Sequence, residues 1–214
     1  MPPDMVLFDC DGVLVDSEPL TSEVLCSSLQ RHGLTVSPHE LADMFLGGTL
    51  MCVAETSRAM GARLPESWVN DTYEEVFAVL GASVEAIPGV HNLLDMLDAA
   101  GIAYAVCSNG PHRKMQITLG RTGLTERLDG RIYSREDVAQ PKPAPDVYLK
   151  AASDAGMAPE RCVVIEDSAN GARAGQAAGM RVLGFSADTP AAKLSPYCHA
   201  TFEAMHDLPG FFRL

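Results

Sequence analysis

The sequence holds six cysteines, Cys10, Cys26, Cys52, Cys107, Cys162 and Cys198, but no Cys-x-x-Cys pair. That absence removes the simplest zinc and disulfide frameworks and leaves reduced thiols as the expectation. Reduced thiols suit a cytoplasmic protein. Positive charge is scarce as well, with 16 Lys and Arg against 28 Asp and Glu, a net charge of −12 and a pI of about 4.8. So acidic a chain is not expected to take a nucleic-acid backbone or an anionic membrane as its main partner. A phosphorylated small molecule stays open, because a metal ion and a few basic groups reverse the sign inside a cleft. No apolar stretch is long enough to span a bilayer. The first residues, MPPDMVLFD, lack a basic region, a long apolar core and a small-residue cleavage site, so no secretory leader is expected there. Repeats and low-complexity tracts are missing. A hydrophobic content of 47% with 21% charged residues is that of a folded globular chain rather than a disordered one. At 214 residues it has room for one large domain, or a domain with a modest insert.

What is present is a rhythm of short apolar runs, each followed by a helical pattern. The runs are MVLF (5–8), IAYAVC (102–107), RIYS (131–134), CVVI (162–165) and RVLGF (181–185). They are largely continuous rather than alternating, as in strands covered on both faces. Between them lie helical stripes, such as Val90, Leu93, Leu94 and Leu97 before Gly101, or Val147, Tyr148 and Ala151 after QPKPAPD. The small residues of GARAGQAAG suit a helix packed close to a sheet, and HATF near the end suits a short edge strand. The alternation predicts an α/β fold with a parallel sheet. Residues 17–84 break the rhythm. They hold no convincing strand and predict four helices: one from about Leu20 to near Gly33, then about 38–46, about 50–60, and a last one ending near Gly81. The expected organisation is therefore a core of residues 1–16 and 85–214 with an all-helical insert, 17–84.

In an open parallel sheet, ligands gather outside the carboxyl ends of the strands. Here those ends carry Asp9-Cys10-Asp11-Gly12, Ser108-Asn109-Gly110 and Glu166-Asp167-Ser168, and Lys142 lies in the loop after the third strand. Taken singly, each has an ordinary reading as a turn, a helix cap or a solvated loop. Together, and in order at one end of one sheet, they imply a site. Asp9 and Asp11, two residues apart, address one side of an extended chain. Crowded carboxylates call for a cation, a shared proton or a ligand. Mg²⁺ suits oxygen donors and phosphate, the start of a helix after Ser108 suits an anion, and Lys142 adds positive charge.

The four motifs resemble those of the haloacid dehalogenase superfamily, subfamily I: Asp9-Cys10-Asp11-Gly12 with Asp16 after it, Ser108, Lys142-Pro143-Ala144-Pro145, and Glu166-Asp167-Ser168-Ala169-Asn170-Gly171. The resemblance covers essentially the whole chain. It implies a Rossmann-like three-layer α/β/α core with an inserted helical cap hinged near Asp16–Glu18 and Ala82–Pro88. It implies that Asp9 is a nucleophile forming an aspartyl-phosphate, and Asp11 the general acid and base. Ser108 and Lys142 would bind the phosphoryl oxygens, with Asn109 beside them. Mg²⁺ would be held by Asp9, Asp11 through its backbone carbonyl, and Asp167, with Glu166 as a direct or water-bridged partner.

Within such a family the chemistry varies. Dehalogenases typically lack the second aspartate of the first motif, whereas Asp11 is present. Phosphonatases use a cap lysine, and the lysines here, Lys114, Lys142, Lys150 and Lys193, all lie outside 17–84. A β-phosphoglucomutase-like mutase is the main alternative. It needs cationic cap groups to hold a second phosphate, and the stretches Glu18-Pro19-Leu20-Thr21 and Leu46-Gly47-Gly48-Thr49-Leu50 carry none. Arg58 and Arg63 are expected at the surface. A non-catalytic phospho-ligand binder is the third reading, disfavoured by the presence of both Asp9 and Asp11. The first expectation is a Mg²⁺-dependent phosphatase of a small phosphorylated metabolite, a monomer or small homo-oligomer. VCSNGPHRKMQ resembles the matching region of bacterial sugar-phosphate phosphatases, which points to a sugar phosphate or phosphorylated sugar acid. Thr21, Gly47, Gly48, Thr49 and Leu50 are the candidate substrate contacts of the insert.

Overall fold

In a computed structural model, which describes residues 2–44 and 49–212 (only the backbone at 42 and 43), the apolar runs form one parallel sheet. Among the described residues its strands are β1 (Met5–Phe8), β2 (Ala103–Ser108), β3 (Ile132–Ser134), β4 (Cys162–Glu166), β5 (Arg181–Phe185) and β6 (Ala200–Phe202). Their order across the sheet is β3-β2-β1-β4-β5-β6, and every neighbouring pair is parallel. β1 thus lies between β2 and β4, where the order of winding reverses, and all four of its residues are buried. The helices are α1 (Glu18–Arg31), α2 (Pro38–Met44), α3 (Leu50–Ala59), α4 (Trp68–Ser83), α5 (Val90–Ala100), α6 (His112–Arg121), α7 (Asp146–Asp154), α8 (Ala169–Ala177), α9 (Ala191–Leu194) and α10 (Leu208–Phe212).

The chain divides into two compact units, Met1–Asp16 with Glu85–Leu214, and Ser17–Val84. In the first unit, Met5, Leu7, Ala105, Cys107, Val164 and Val182 present one face of the sheet to Val147, Tyr148 and Ala151 of α7 and to Ala172 and Ala174 of α8. On α5 the buried stripe is Val90, Leu93, Leu94 and Leu97, and the helix stops at Gly101, whose φ of 66° is left-handed. α5 packs on β2 and α6 on β3. Helices on both sides make the predicted three-layer α/β fold. The two segments bordering Ser17–Val84 lie antiparallel: the Asp16 amide donates to the Glu85 carbonyl at 2.9 Å, and the Ile87 amide to the Leu14 carbonyl at 3.0 Å.

The second unit holds α1 to α4. Leu25 and Leu29, Leu41 and Met44, Leu50, Val53 and Ala54, and Trp68 form its buried cluster, one set from each helix in turn. The buried Trp68 Nε1 donates to Ser28 Oγ at 2.9 Å, so the indole nitrogen is satisfied. α2 starts from a capping box, in which the Ser37 hydroxyl accepts from the Glu40 amide and the Glu40 carboxylate accepts from the Ser37 amide. α4 continues two residues past Gly81 before the chain turns extended at Val84, because a single glycine on a helix surface weakens the helix without ending it.

α8 sits close to the sheet because Gly175 has no side chain: a Cβ there would lie 2.9 Å from Val182 Cγ2 and 3.1 Å from Val164 Cβ. Gly175→Ala gains about 1 kcal/mol of helix propensity but forces a packing adjustment costing about 1–3 kcal/mol. A net fall in the urea midpoint is expected; a rise would mean the helix–sheet contact is loose.

Candidate functional site

The carboxyl ends of β1, β2 and β4 are brought level by the sheet register. Phe8 stands opposite Val106 on one side and Ile165 on the other, which places the next residue, Asp9, level with Cys107 and Glu166. The Asp9 amide donates to the Ile165 carbonyl at 2.9 Å, so Asp9 still belongs to the ladder. Lys142 reaches this level from the loop between β3 and α7. Its buried ammonium donates to Asp9 Oδ1 at 2.5 Å, to the Cys107 carbonyl at 2.7 Å and to Glu166 Oε1 at 2.7 Å. An ammonium has three hydrogens, and each is taken by a different strand. The Tyr148 ring covers it, with its centroid 4.7 Å from Nζ.

Glu166 serves this lysine. Its Oε1 also accepts from the Tyr148 hydroxyl at 3.0 Å, and its Oε2 accepts from the Ser168 amide at 3.0 Å and the Ser168 hydroxyl at 2.9 Å. Those contacts occupy the ordinary acceptor capacity of a carboxylate. The carboxylate needs the space over Gly171, where a Cβ would overlap it. Burial pushes the Asp9 carboxyl up, Lys142 opposes this, and Glu166 and Asp11 add to the rise, to about 7. Burial works against the charged form of Lys142, but Asp9 and Glu166 outweigh it and hold the ammonium well above the usual lysine value. The lysine therefore stays charged.

The Lys142 backbone is fixed from β2. The Asn109 side-chain amide donates to the Lys142 carbonyl at 3.0 Å, and its oxygen accepts from the Lys142 amide at 2.9 Å. Beside it, the buried Ser108 hydroxyl accepts from the Gly110 amide at 2.9 Å. The Gly110 carbonyl accepts from the Ser134 hydroxyl at 2.7 Å, and Ser134 is itself held by Asp137 in a capping box at the end of β3. Asp11 pairs with Lys114 of α6, Nζ to Oδ1 at 2.7 Å. Burial again opposes the charge on Lys114, and Asp11 raises it above the ordinary value. Gly12, at a left-handed φ of 75°, lies under the Asp167 carboxylate so closely that a Cβ would overlap it.

Of the residues singled out in the sequence, Asp9, Lys142 and Glu166 meet as one buried cluster, Asp11 and Ser108 border the space over Gly110, and Asp167 lies on Gly12. Glu166 is turned to Lys142 rather than to a shared group of four carboxylates. Among the described residues, no three Asp, Glu, His or Cys side chains form a group that could hold a metal by themselves. Asn109, expected at the substrate, has both polar ends of its amide on the Lys142 backbone. In the helical unit, the Thr21 hydroxyl donates to the Ser17 carbonyl at 2.8 Å, and Thr49 caps α3 by accepting from the Cys52 amide at 3.3 Å. Gly47 and Gly48 lie outside the described residues. Arg58 and Arg63 are exposed, and Arg58 donates to the Pro65 carbonyl. Two site residues had not been singled out. Tyr148 carries no local sign of its role. Lys114 does: a lysine in the first turn of a helix opposes the macrodipole, so an anionic partner was to be sought.

Residues 3–179 match the family described as haloacid dehalogenase-like hydrolase. The 6-phosphogluconate phosphatase of Escherichia coli K12 is 33% identical over 98% of this chain and 95% of its own. Hexitol phosphatase A of the same organism is 32% identical over 86% of this chain and 84% of its own. The crystal structure of a HAD family hydrolase from Deinococcus radiodurans R1, with bound phosphate and sodium, is 34% identical. It covers 98% of this chain and 95% of its own, with a TM-score of 0.84.

Removing Glu166 leaves a buried ammonium short of one anionic partner. Glu166→Ala is expected to cost about 3–5 kcal/mol, read as a lowered denaturation midpoint, and Glu166→Gln less, because the amide oxygen still accepts. Equal stability of the wild type and the Ala variant would show that Lys142 does not depend on it.

Proposed function

The chain belongs to the haloacid dehalogenase-like hydrolase family and is a phosphatase of phosphate monoesters, and from that premise we propose that it cleaves a sugar phosphate or phosphorylated sugar acid through an aspartyl-phosphate on Asp9. The observation that carries the proposal is the pairing of buried Asp9 with the Lys142 ammonium at 2.5 Å, at the carboxyl end of the central strand. A carboxylate is a weak nucleophile, and alignment is what such a reaction asks of the protein.

The chain's own groups divide the work as follows. One Asp9 oxygen forms a bond to phosphorus as the bond to the ester oxygen breaks. The departing alkoxide takes a proton from the Asp11 carboxyl and leaves as the alcohol. Water then adds to the acyl phosphate, giving its proton to the Asp11 carboxylate, and the Asp9–phosphorus bond breaks to release phosphate. Asp11 returns to its starting state. The Lys142 ammonium and the Ser108 hydroxyl offset the charge on the phosphoryl oxygens.

The donors at the ends of β1 and β4 fit Mg²⁺. That ion takes hard oxygen ligands, is commonly held by one or two carboxylates and keeps waters or phosphate in its other positions, so a three-carboxylate cage is not required. Asp9, Asp167 and the Asp11 carbonyl would hold it, and Glu166, whose acceptors are filled by Lys142, Tyr148 and Ser168, would act behind them. When bound, the ion supplies positive charge against the phosphate. Substrate choice is assigned to the helical unit Ser17–Val84. The names of two relatives, 6-phosphogluconate phosphatase and hexitol phosphatase A, support this class.

Asp9→Asn is expected to abolish turnover of every phosphate ester while leaving the circular dichroism spectrum of a folded chain; substantial residual turnover would remove Asp9 as nucleophile. Chelation with EDTA should stop the enzyme and added Mg²⁺ restore it, whereas activity indifferent to EDTA would exclude the metal assignment. A panel of phosphorylated sugars, sugar acids and glycolate, ranked by kcat/KM, tests the class, and preference for phosphoglycolate over all sugar derivatives would overturn it.

A further inference from the structure

Asp11 stands close enough to Asp9 to raise the Asp9 carboxyl, yet a single lysine does not serve them both. The three hydrogens of Lys142 go to Asp9, Cys107 and Glu166. Asp11 is met by a second lysine, Lys114, at 2.7 Å. Both members of that pair are largely covered, with side-chain exposures of 18% and 23%, so it is less screened than a surface ion pair. Lys114 comes from the first turn of α6, where the helix dipole disfavours a cation. The anion that compensates it is Asp11.

The two oxygens of Asp11 have different surroundings. Oδ1 takes the Lys114 hydrogen bond. Oδ2 lies beside the bare backbone of Gly110: a Cβ on that glycine would stand 3.7 Å from Asp11 Oδ2, 3.7 Å from Lys114 Cδ and 3.2 Å from Ser108 Oγ. Asp11, Lys114 and the Ser108 hydroxyl therefore share one small space, which the absence of a side chain at 110 keeps open. Asp11 itself lies past the end of the β1 ladder, in an isolated bridge with Val15.

We propose that Lys114 is the positioning residue for Asp11: it grips one carboxylate oxygen and so presents the other for proton transfer to and from the reacting ester. The proposal rests on the reading of Asp11 as general acid and base given above. Lys114 itself touches no reacting atom. It acts on the proton delivered to the leaving alkoxide and on its recovery from water, and leaves the attack by Asp9 untouched.

The test uses the full-length enzyme with Mg²⁺ and two esters, para-nitrophenyl phosphate and glycerol 2-phosphate. Nitrophenolate departs without a proton, and the alkoxide needs one. Release of the leaving group in the first turnover, with enzyme in excess, isolates the step in which Asp11 gives its proton. Lys114→Met is expected to slow glycerol release by about 100-fold and nitrophenolate release by only a few-fold, with KM little changed, and Lys114→Arg to recover most of the loss. Lys114→Gln offers the same reading if the Met variant is insoluble. An equal loss on both esters would overturn the proposal, as would a rise in KM with kcat kept, which would make Lys114 a substrate contact. Wild-type release of nitrophenolate tests the phosphatase reading alone, and the ratio between the esters tests Lys114, so the two failures have different signatures.

Discussion

One ammonium group sets the terms for the rest of the site. Lys142 is buried, and a buried charge is tolerated only where partners replace its lost water. It finds a carboxylate on β1, a carbonyl on β2 and a carboxylate on β4, one for each hydrogen. None of the three can move without leaving the ammonium partly unsatisfied. The parallel register around β1 is thereby tied to a chemical constraint as well as to the ladder of backbone hydrogen bonds.

From that constraint the neighbouring residues take their roles. Glu166 is a neutralising partner in a closed set of contacts, locked by Tyr148 and Ser168 and given space by Gly171. Asn109 holds the Lys142 backbone from the opposite side. The ammonium is aimed by contacts that reach it through both ends of the residue. This is what a site relying on alignment requires: charges held in place before the substrate arrives, so that little reorganisation remains for the reaction. Asp9 differs from Glu166 in having the edge position, at the end of the central strand, with burial raising its carboxyl to about 7 against the pull of Lys142.

The division of labour between two lysines follows from the same electrostatics. Asp9 and Asp11 lie two residues apart, and each is given its own cation, one from the loop before α7 and one from the first turn of α6. The segment leading into α6 and the segment from β3 to α7 are in turn bound to one another through Asn109, Gly110 and Ser134. In the second unit the candidate threonines are engaged locally, Thr21 on its own helix and Thr49 as a cap. Their hydroxyls help shape helices whether or not they touch a substrate.

The α/β pattern was legible because buried parallel strands are apolar up to their ends, as MVLF, AYAVC and CVVI are; the helical stretch 17–84 was legible because it lacks such runs. The positions of Asp9, Asp11, Ser108, Lys142, Glu166 and Asp167 were legible too, since strand ends are where a parallel sheet gathers reactive groups. What each of them touches was decided only in three dimensions. Glu166, expected as a direct or water-bridged metal partner, and Asn109, expected at the substrate, both hydrogen-bond Lys142, a contact no local pattern shows. The role of Lys114 is not legible locally, because its partner Asp11 lies more than a hundred residues away in the chain. Local sequence determines which residues can form a strand, a cap or a charged loop; which carboxylate meets which ammonium depends on distances between strands, and those exist only once the sheet has closed.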